Sequence, residues 1–179
     1  MRTVYSFTIP TLETERLVLR GWHDDDHIWL GEIFSDEETT RFIGGVQPPH
    51  EAWRRLSRSI GHWHLRGFGL FVVTLRASGE PVGYCGPMYP DGWPEPEIGW
   101  TFIKRHHGQG YATEAARRAL RFAYEELGWE TAISLIDDDN IASERVAGKL
   151  GASYESTADV TDFTARIFRH LPPSEFLNS

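Results

Sequence analysis

The feature that most constrains this fold is a short glycine-containing loop between a strand-like segment and a long helical segment. It reads RHHGQGYATEA over residues 105–115. Residues 97–103 alternate in the manner of a strand, and residues 111–127 carry apolar side chains at helical spacing. Gly108 and Gly110 leave backbone N–H groups uncovered beside the positive end of the helix dipole, which suits a phosphate. The same glycines are also compatible with a plain turn that only joins the two elements.

The loop differs from two common phosphate-binding motifs and is similar to a third. It has neither the Gly-Lys-Ser/Thr ending of a P-loop nor the Gly-x-Gly-x-x-Gly of a dinucleotide-binding fold. It resembles the Arg/Gln-x-x-Gly-x-Gly/Ala pyrophosphate loop of the GNAT acetyltransferase family. The string GQGYATEA resembles the ribosomal-protein N-acetyltransferase (RimJ/RimL-type) branch of that family. In that branch an aromatic residue often precedes the first glycine, whereas this chain has His107 there.

A second segment resembles the other half of the same family's cofactor site. It reads NIASERVAGKLGA over residues 140–152. The family pattern is an asparagine, a small residue three positions later, and Gly-Phe eleven and twelve positions later. Asn140, Ser143 and Gly151 match this pattern, and Ala152 replaces the phenylalanine. The two motifs have the separation found in the family, and the resemblance covers nearly the whole chain.

The resemblance implies an α+β (α/β) GNAT fold, in which helices flank a mixed central β-sheet that is splayed at the acetyl-CoA site. The splay is expected between residues 97–103 and 131–136, where the pantetheine arm would bind like an added strand. The implied activity is N-acetylation of a primary amine by acetyl-CoA, through direct attack in a ternary complex and without a metal. One domain is expected over residues 8–171, with terminal extensions at 1–7 and 172–179.

The resemblance also assigns a set of cofactor-binding residues. They are Trp100, Thr101, Phe102, Ile103, Arg105, His106, His107, Gly108, Gln109, Gly110, Tyr111, Ala112, Thr113, Asn140 and Ser143. Arg105 is expected to add a positive charge at the rim of the loop. Asn140 is expected to orient the cofactor amide or the substrate.

Ser143 is the first of two expected catalytic residues. Many members of the family place a tyrosine seven residues after the asparagine, as general acid for the departing thiolate, but this chain has Ala147 there. The branch that lacks this tyrosine is thought to use the serine that corresponds to Ser143. The alternative for Ser143 is a residue at the start of a helix that hydrogen-bonds its own backbone.

Glu97 is the second expected catalytic residue, as the base that removes the amine proton. A strand over residues 97–103 has two faces, Ile98, Trp100 and Phe102 on one and Glu97, Gly99 and Thr101 on the other. The first face suits a core and the second suits a ligand cleft, although an ordinary half-exposed strand has the same pattern. Histidine is a common general base, but the place of His106 and His107 in the phosphate loop points them away from the acetyl group.

The composition of the chain limits the number of domains and the kinds of ligand that it can have. The chain has 179 residues, enough for one domain, and a formal net charge of −8. Its acidity disfavours nucleic-acid binding and suits a cationic amine. A single cysteine, Cys85, excludes an intramolecular disulfide and fits a reducing cytoplasm, and the sequence shows no membrane span or secretory signal.

Several questions stay open at this point. The acceptor is a protein N-terminus, an antibiotic, a polyamine or another small amine, and the protein is a monomer or a homodimer. A non-catalytic acyl-CoA-binding module of the same fold and an unrelated phosphate-binding structural protein are the competing interpretations. The segment 88–96, with three prolines, either lines a substrate pocket or is a plain connector.

The remaining elements follow from periodicity and from turn residues. The pattern predicts a strand at 17–19, a helix from the acidic triplet 24–26 to Phe34, and a helix after Pro48-Pro49. It further predicts strands at 69–75, 81–86, 131–136 and 163–170, and a helix at 140–150 that Asn140 caps. The triplet favours a helix start over a metal site, because consecutive side chains diverge.

Overall fold

The fold is that of a computed structural model in which residues 7–161 and 163–178 are described. The strands are β1 (Leu12–Glu13), β2 (Leu17–Arg20), β3 (Phe71–Leu75), β4 (Pro81–Met88), β5 (Glu97–Phe102), β6 (Ile133–Ile136), β7 (Ser153–Val160) and β8 (Phe163–Arg169). The helices are α1 (Asp26–Ser35), α2 (Glu37–Thr40), α3 (His50–Arg66), α4 (Tyr111–Glu125), α5 (Ile141–Lys149) and α6 (Pro173–Phe176). A 3-10 turn, Lys104–His106, precedes α4. The expected extension at 1–7 lies outside the described residues except for its last position.

The strands form one mixed sheet with the order β1-β2-β3-β4-β5-β6-β8-β7. Neighbouring strands are antiparallel except for β5 and β6, which are parallel. Strand β4 pairs with β5 along the whole of β5, whereas β5 and β6 share a single paired position, Glu97 opposite Ile133. The sheet therefore opens beyond Glu97, which confirms the expected mixed, splayed sheet.

Helix α4 lies close against the sheet because its buried side is built from small residues. Its buried side chains are Ala115, Ala116, Ala119, Leu120, Phe122, Ala123 and Tyr124. The helix packs against β2, β4 and β5. Its first turn consequently stands next to the end of β5, where the glycine loop joins the two elements.

Helix α3 packs against the hydrophobic core with one of its faces. Ala52, Leu56, Ser59 and Trp63 are its buried residues, and the Trp63 indole N–H donates to the Leu70 carbonyl at 2.9 Å. The helix ends at Gly67, whose φ of 78° is in the left-handed region that glycine adopts readily.

Four elements were not predicted from the sequence: β7, α2, α6 and the two-residue β1. Most of β7 is exposed, and it pairs only with β8 at the edge of the sheet, so it lacks the apolar alternation of a half-buried strand. The helices α2 and α6 have four residues each, too few for a periodic pattern. Phe176 of α6 is nevertheless buried, and its ring contacts that of Tyr124.

None of the helices in residues 7–161 and 163–178 is both long and apolar enough to cross a lipid bilayer. No three His, Cys, Asp or Glu side chains in the same ranges are grouped closely enough to hold a metal ion. The acidic triplet 24–26 begins a helix as predicted, and the carboxylate of Asp26 pairs with Arg20 at 2.8 Å.

Candidate active site

A cleft of about 730 Å³ lies where β5 and β6 separate. Its walls come from these two strands, the start of α5, α3, the segment 41–44 and the start of β8. Five of the residues predicted from the sequence line it: Glu97, Trp100, Thr101, Asn140 and Ser143. Trp93 of the proline-rich segment 88–96 also lines the cleft, so that segment contributes to the pocket.

Side chains bridge β5 and β6 at the point of separation. The Ser134 hydroxyl donates to the Ile98 carbonyl at 2.7 Å, and the Leu135 N–H donates to Glu97 Oε1 at 3.1 Å. The Ile98 carbonyl therefore points toward β6. Because backbone groups two residues apart in a strand point the same way, the N–H and C=O of Trp100 point into the cleft. An extended ligand arm can pair with these groups as an added strand does.

Glu97 lies at the base of the cleft and is only 7% exposed. Its Oε2 accepts a hydrogen bond from the Trp93 indole at 2.6 Å, in addition to the Leu135 bond. Burial raises the pKa of the Glu97 carboxyl, and the two hydrogen bonds oppose this rise. A Cβ on Gly99 would stand 3.9 Å from Glu97 Oε1, so glycine leaves space beside the carboxylate. The position suits a base, and it also holds β6 in place.

Asn140 and Ser143 meet at the start of α5. The Asn140 side chain caps the helix as predicted, because its Oδ1 accepts from the Ser143 backbone N–H at 3.1 Å. In residues 7–161 and 163–178, neither the Asn140 amide NH₂ nor the Ser143 hydroxyl has a hydrogen-bond partner. Both residues line the cleft, so these donors are available to a ligand.

The glycine loop presents backbone N–H groups at the start of α4. Gly108 and Gly110 have φ of 76° and 81°, both left-handed. The N–H groups of His106 and His107 bond to carbonyls of the preceding turn. From residue 108 to residue 113, the backbone N–H groups have no partner within the described part of the chain. Such unpaired N–H groups at a helix start are typical of an anion site.

The side chains before the glycines are held by other parts of the protein. Arg105 forms ion pairs with Glu32 and Glu80, which raise the pKa of its guanidinium. His106 Nε2 lies 3.1 Å from a Glu80 carboxylate oxygen, and His107 Nε2 lies 2.8 Å from the Phe102 carbonyl oxygen. The charge of Arg105 is thus balanced by two carboxylates. Its expected contact with a phosphate stays a prediction.

Arg16 also contacts the glycine loop, and this contact was not predicted from the sequence. Its Nη1 donates to the Gln109 carbonyl at 3.0 Å, and its guanidinium lies 4.8 Å from the centre of the Tyr111 ring. It also pairs with Glu114 at 2.7 Å. Local pattern could not identify this contact, because Arg16 precedes the loop by about ninety positions and comes near it only through the fold.

The remaining predicted cofactor residues take two kinds of position. Phe102 and Ile103 are buried in the core, and the Phe102 carbonyl oxygen lies next to His107 Nε2. Tyr111, Ala112 and Thr113 form the half-buried first turn of α4. All of them lie along one path, from β5 through the loop to α4.

Comparisons with known proteins agree with this geometry. The family model described as "Acetyltransferase (GNAT) domain" matches residues 16–153. The uncharacterized protein YkkB of Bacillus subtilis (strain 168) is 34% identical over 154 residues, which cover 82% of this chain and 87% of YkkB. The crystal structure of an acetyltransferase from Agrobacterium tumefaciens str. C58 is 30% identical, with a TM-score of 0.84, and the match covers 96% of this chain and 99% of that one.

A more distant structure shares the fold and was solved with coenzyme A. It is RimL, an alpha-N-protein acetyltransferase of ribosomal L7/L12, with 16% identity and a TM-score of 0.73 over 90% of this chain and 98% of that one. At this identity the likeness concerns the fold. The family model, however, spans most of the chain, and YkkB is similar over nearly its full length. The chain therefore belongs to the GNAT acetyltransferase family.

Proposed function

We propose that this protein transfers the acetyl group of acetyl-CoA to a primary amine by direct attack in a ternary complex. The observation that carries the proposal is the cleft between β5 and β6, lined by Glu97, Ser143 and Trp100 together. The glycine loop follows β5 directly and offers unpaired N–H groups for the pyrophosphate. Pantetheine would then extend from the loop along Trp100, which directs the thioester toward Ser143 and Glu97.

Direct attack is favoured because, among the described residues, no cysteine lines the cleft and neither of its serines has an effective base as a hydrogen-bond partner. Cys85, the chain's single cysteine, is buried, and burial raises the pKa of its thiol. Ser134 lies 2.9 Å from His170, but its hydroxyl already donates to the Ile98 carbonyl. Burial also lowers the pKa of His170 to about 4, so this histidine is a weak base. The pair therefore supports the sheet rather than a reaction.

Each candidate catalytic residue has one task in this proposal. The amine nitrogen forms a bond to the thioester carbon, and the carbon–sulfur bond breaks. Glu97 accepts the amine proton through a water molecule. Ser143 donates a hydrogen bond or a proton to the departing sulfur. Burial raises the pKa of Glu97 above that of an ordinary carboxyl, which makes the ionised carboxylate a stronger base.

A panel of amines tests the proposed activity. Purified protein is mixed with acetyl-CoA and each amine, and free thiol is measured over time. The panel includes a peptide with a free N-terminus, because the loop string GQGYATEA favours the ribosomal-protein N-acetyltransferase type. Acetylated product with at least one amine supports the proposal. Tight coenzyme A binding without thiol release for any amine favours the non-catalytic acyl-CoA-binding module instead.

Glu97→Gln is expected to lower the acetylation rate at pH 7 and to recover as pH approaches the amine's own pKa. The reason is that the neutral amine attacks, and an α-amine of pKa about 7.8 is only about 14% neutral at pH 7. The expected loss for such an amine is therefore up to about sevenfold, and it grows for amines of higher pKa. The measurement is the pH profile of kcat/KM in the wild type and the variant.

Trp93→Phe provides the matched control for Glu97. It keeps the carboxylate and removes the indole N–H that stabilises its charged form, so the pKa of Glu97 should rise further. Since a base acts when ionised, the acid side of the wild-type profile should move to higher pH in this variant. A Glu97→Gln profile identical to that of the wild type would assign Glu97 to the scaffold.

A further inference from the structure

Two arginines of α3, Arg55 and Arg58, line the cleft without a carboxylate partner. They are three residues apart, which places them on neighbouring turns of one helix face. In residues 7–161 and 163–178, neither side chain forms an ion pair or a hydrogen bond, and the Arg55 Nε is buried without a partner. Arg55 is half-buried and Arg58 is exposed. Two guanidinium groups without partners in one cleft suit an anion, because the buried part of Arg55 lacks the partner that a buried charged group requires.

The neighbouring charges do not neutralise this pair. Glu51, one helical turn before Arg55, is bound by Arg54. Arg41, a third arginine of the cleft, is paired with Asp139 at 3.1 Å. The Glu97 carboxylate already accepts hydrogen bonds from the Trp93 indole N–H and the Leu135 backbone N–H. Burial lowers the pKa of Arg58, repulsion from Arg55 lowers it further, and Glu51 opposes this change.

The Arg55 side chain is also held in place by an aromatic ring. Its guanidinium carbon lies 5.3 Å from the centre of the Phe34 ring, a distance at which a cation and an aromatic face attract each other. A planar guanidinium held this way presents its remaining N–H groups in a fixed direction, the geometry that suits a carboxylate or a phosphate. Arg55 is therefore oriented for binding, and Arg58, which is more exposed, lines the same cleft.

The anion is not the cofactor pyrophosphate. None of the residues from 104 to 113 lines this cleft, so the arginines are separate from the glycine loop. They share the cleft instead with Glu97 and Met88, near the start of β5. This is the side from which the acceptor amine would approach if the proposed function holds.

We propose, on the basis of that proposed function, that the acceptor is a small amine that also carries an oxyanion, a carboxylate or a phosphate, which Arg55 and Arg58 bind. The cleft volume of about 730 Å³ is within the range of small-molecule sites. The inference differs from the expectation of a cationic acceptor that the net charge suggested. The field at a site depends on the side chains that line it, and here Arg55 and Arg58 have no ion-pair or hydrogen-bond partner among the described residues. The acidic residues of the cleft each accept a hydrogen bond, Glu97 from Trp93 and Leu135 and Asp137 from the Asp139 backbone N–H.

The test compares amines that differ only in the anion. The carboxylate arm pairs β-alanine and 4-aminobutyrate with their carboxamides, and the phosphate arm pairs phosphoethanolamine with ethanolamine. The wild type should prefer the anionic member of at least one arm by roughly tenfold to a hundredfold in kcat/KM, mainly through KM, as for hydrogen bonds to charged groups. The arm that shows the preference identifies the anion.

Variants assign the preference to the arginines. Arg55→Met combined with Arg58→Met should remove the preference, because kcat/KM for the anionic amine should fall more than kcat/KM for its neutral counterpart. Arg66→Met is the matched control, because Arg66 is on the same helix, is exposed and does not line the cleft. Calorimetric binding of the same amines to the protein saturated with coenzyme A gives a second measurement that needs no turnover.

The outcomes separate this inference from the proposed function. Acetylation of neutral amines without any preference for anionic ones keeps the proposed function and overturns the inference. A double variant that keeps the anion preference also overturns it. If no amine is acetylated, the proposed function fails, and calorimetry still decides whether Arg55 and Arg58 bind an anion.

Discussion

Coenzyme A binding should be lost when Gly108 and Gly110 are both replaced with alanine. A Cβ on Gly108 would point into open space, with no atom within 4 Å, and that space faces the N–H groups proposed to hold the pyrophosphate. A methyl group there holds a phosphate away from the backbone. Hydrogen bonds to charged groups contribute about 1.5–3 kcal/mol each, so losing two or more lowers affinity by more than about a hundredfold. Titration calorimetry measures this directly.

The control for the glycine variant must carry the same backbone strain. Gly67 and Gly128 have φ of 78° and 70°, and a Cβ on either would also meet no atom within 4 Å. Alanine in the left-handed region costs about 1–2 kcal/mol at each position. The Gly67/Gly128 double variant should therefore lose stability to a similar extent and bind coenzyme A normally. Equal loss of binding in both double variants, or normal binding in the loop variant, would contradict the assigned role of the loop.

The sequence predicts those parts of the site that depend on local pattern. Alanines at helical spacing specify α4, and the glycines that precede it specify the loop, so both are recognisable within one short segment. Asn140 is recognisable as a helix cap for the same reason, since its partner is three residues away. The splayed sheet followed from the family resemblance rather than from any one strand.

Contacts between distant segments could not be predicted in this way. Arg105 is paired with Glu32 and Glu80, and Arg16 lies against the loop, because the tertiary fold brings α1, β2 and the β3–β4 turn to the same place. The absence of an ion-pair partner for Arg55 could not be predicted from the sequence either, because it depends on which residues pair with the neighbouring carboxylates. Strand β7 escaped prediction because hydrogen bonds to β8, rather than an apolar pattern, hold it in the sheet.

Ser143→Ala should lower kcat by about 10²–10⁴-fold, the usual contribution of general acid help. The hydroxyl lines the cleft and has no partner within residues 7–161 and 163–178, so it is available to the departing sulfur. The substitution leaves the helix start intact, because Asn140 caps the Ser143 backbone N–H and not its side chain. Affinity for coenzyme A should change little, since the bond to sulfur strengthens only as the thiolate leaves. Steady-state kinetics and calorimetry on the same preparations give both quantities.

The acetyl donor supplies the sharper control for Ser143. A thioester whose thiol has a lower pKa needs less help in leaving, so the ratio of the wild-type rate to the Ser143→Ala rate should shrink with such a donor. Ser143→Thr keeps a hydroxyl at the same place and should retain part of the rate that alanine loses. A ratio that does not depend on the thiol, or an effect confined to KM, would mean that Ser143 positions the substrates and that another group or water protonates the sulfur. Because this test varies the leaving group and leaves the amine unchanged, its result does not depend on the role of Glu97.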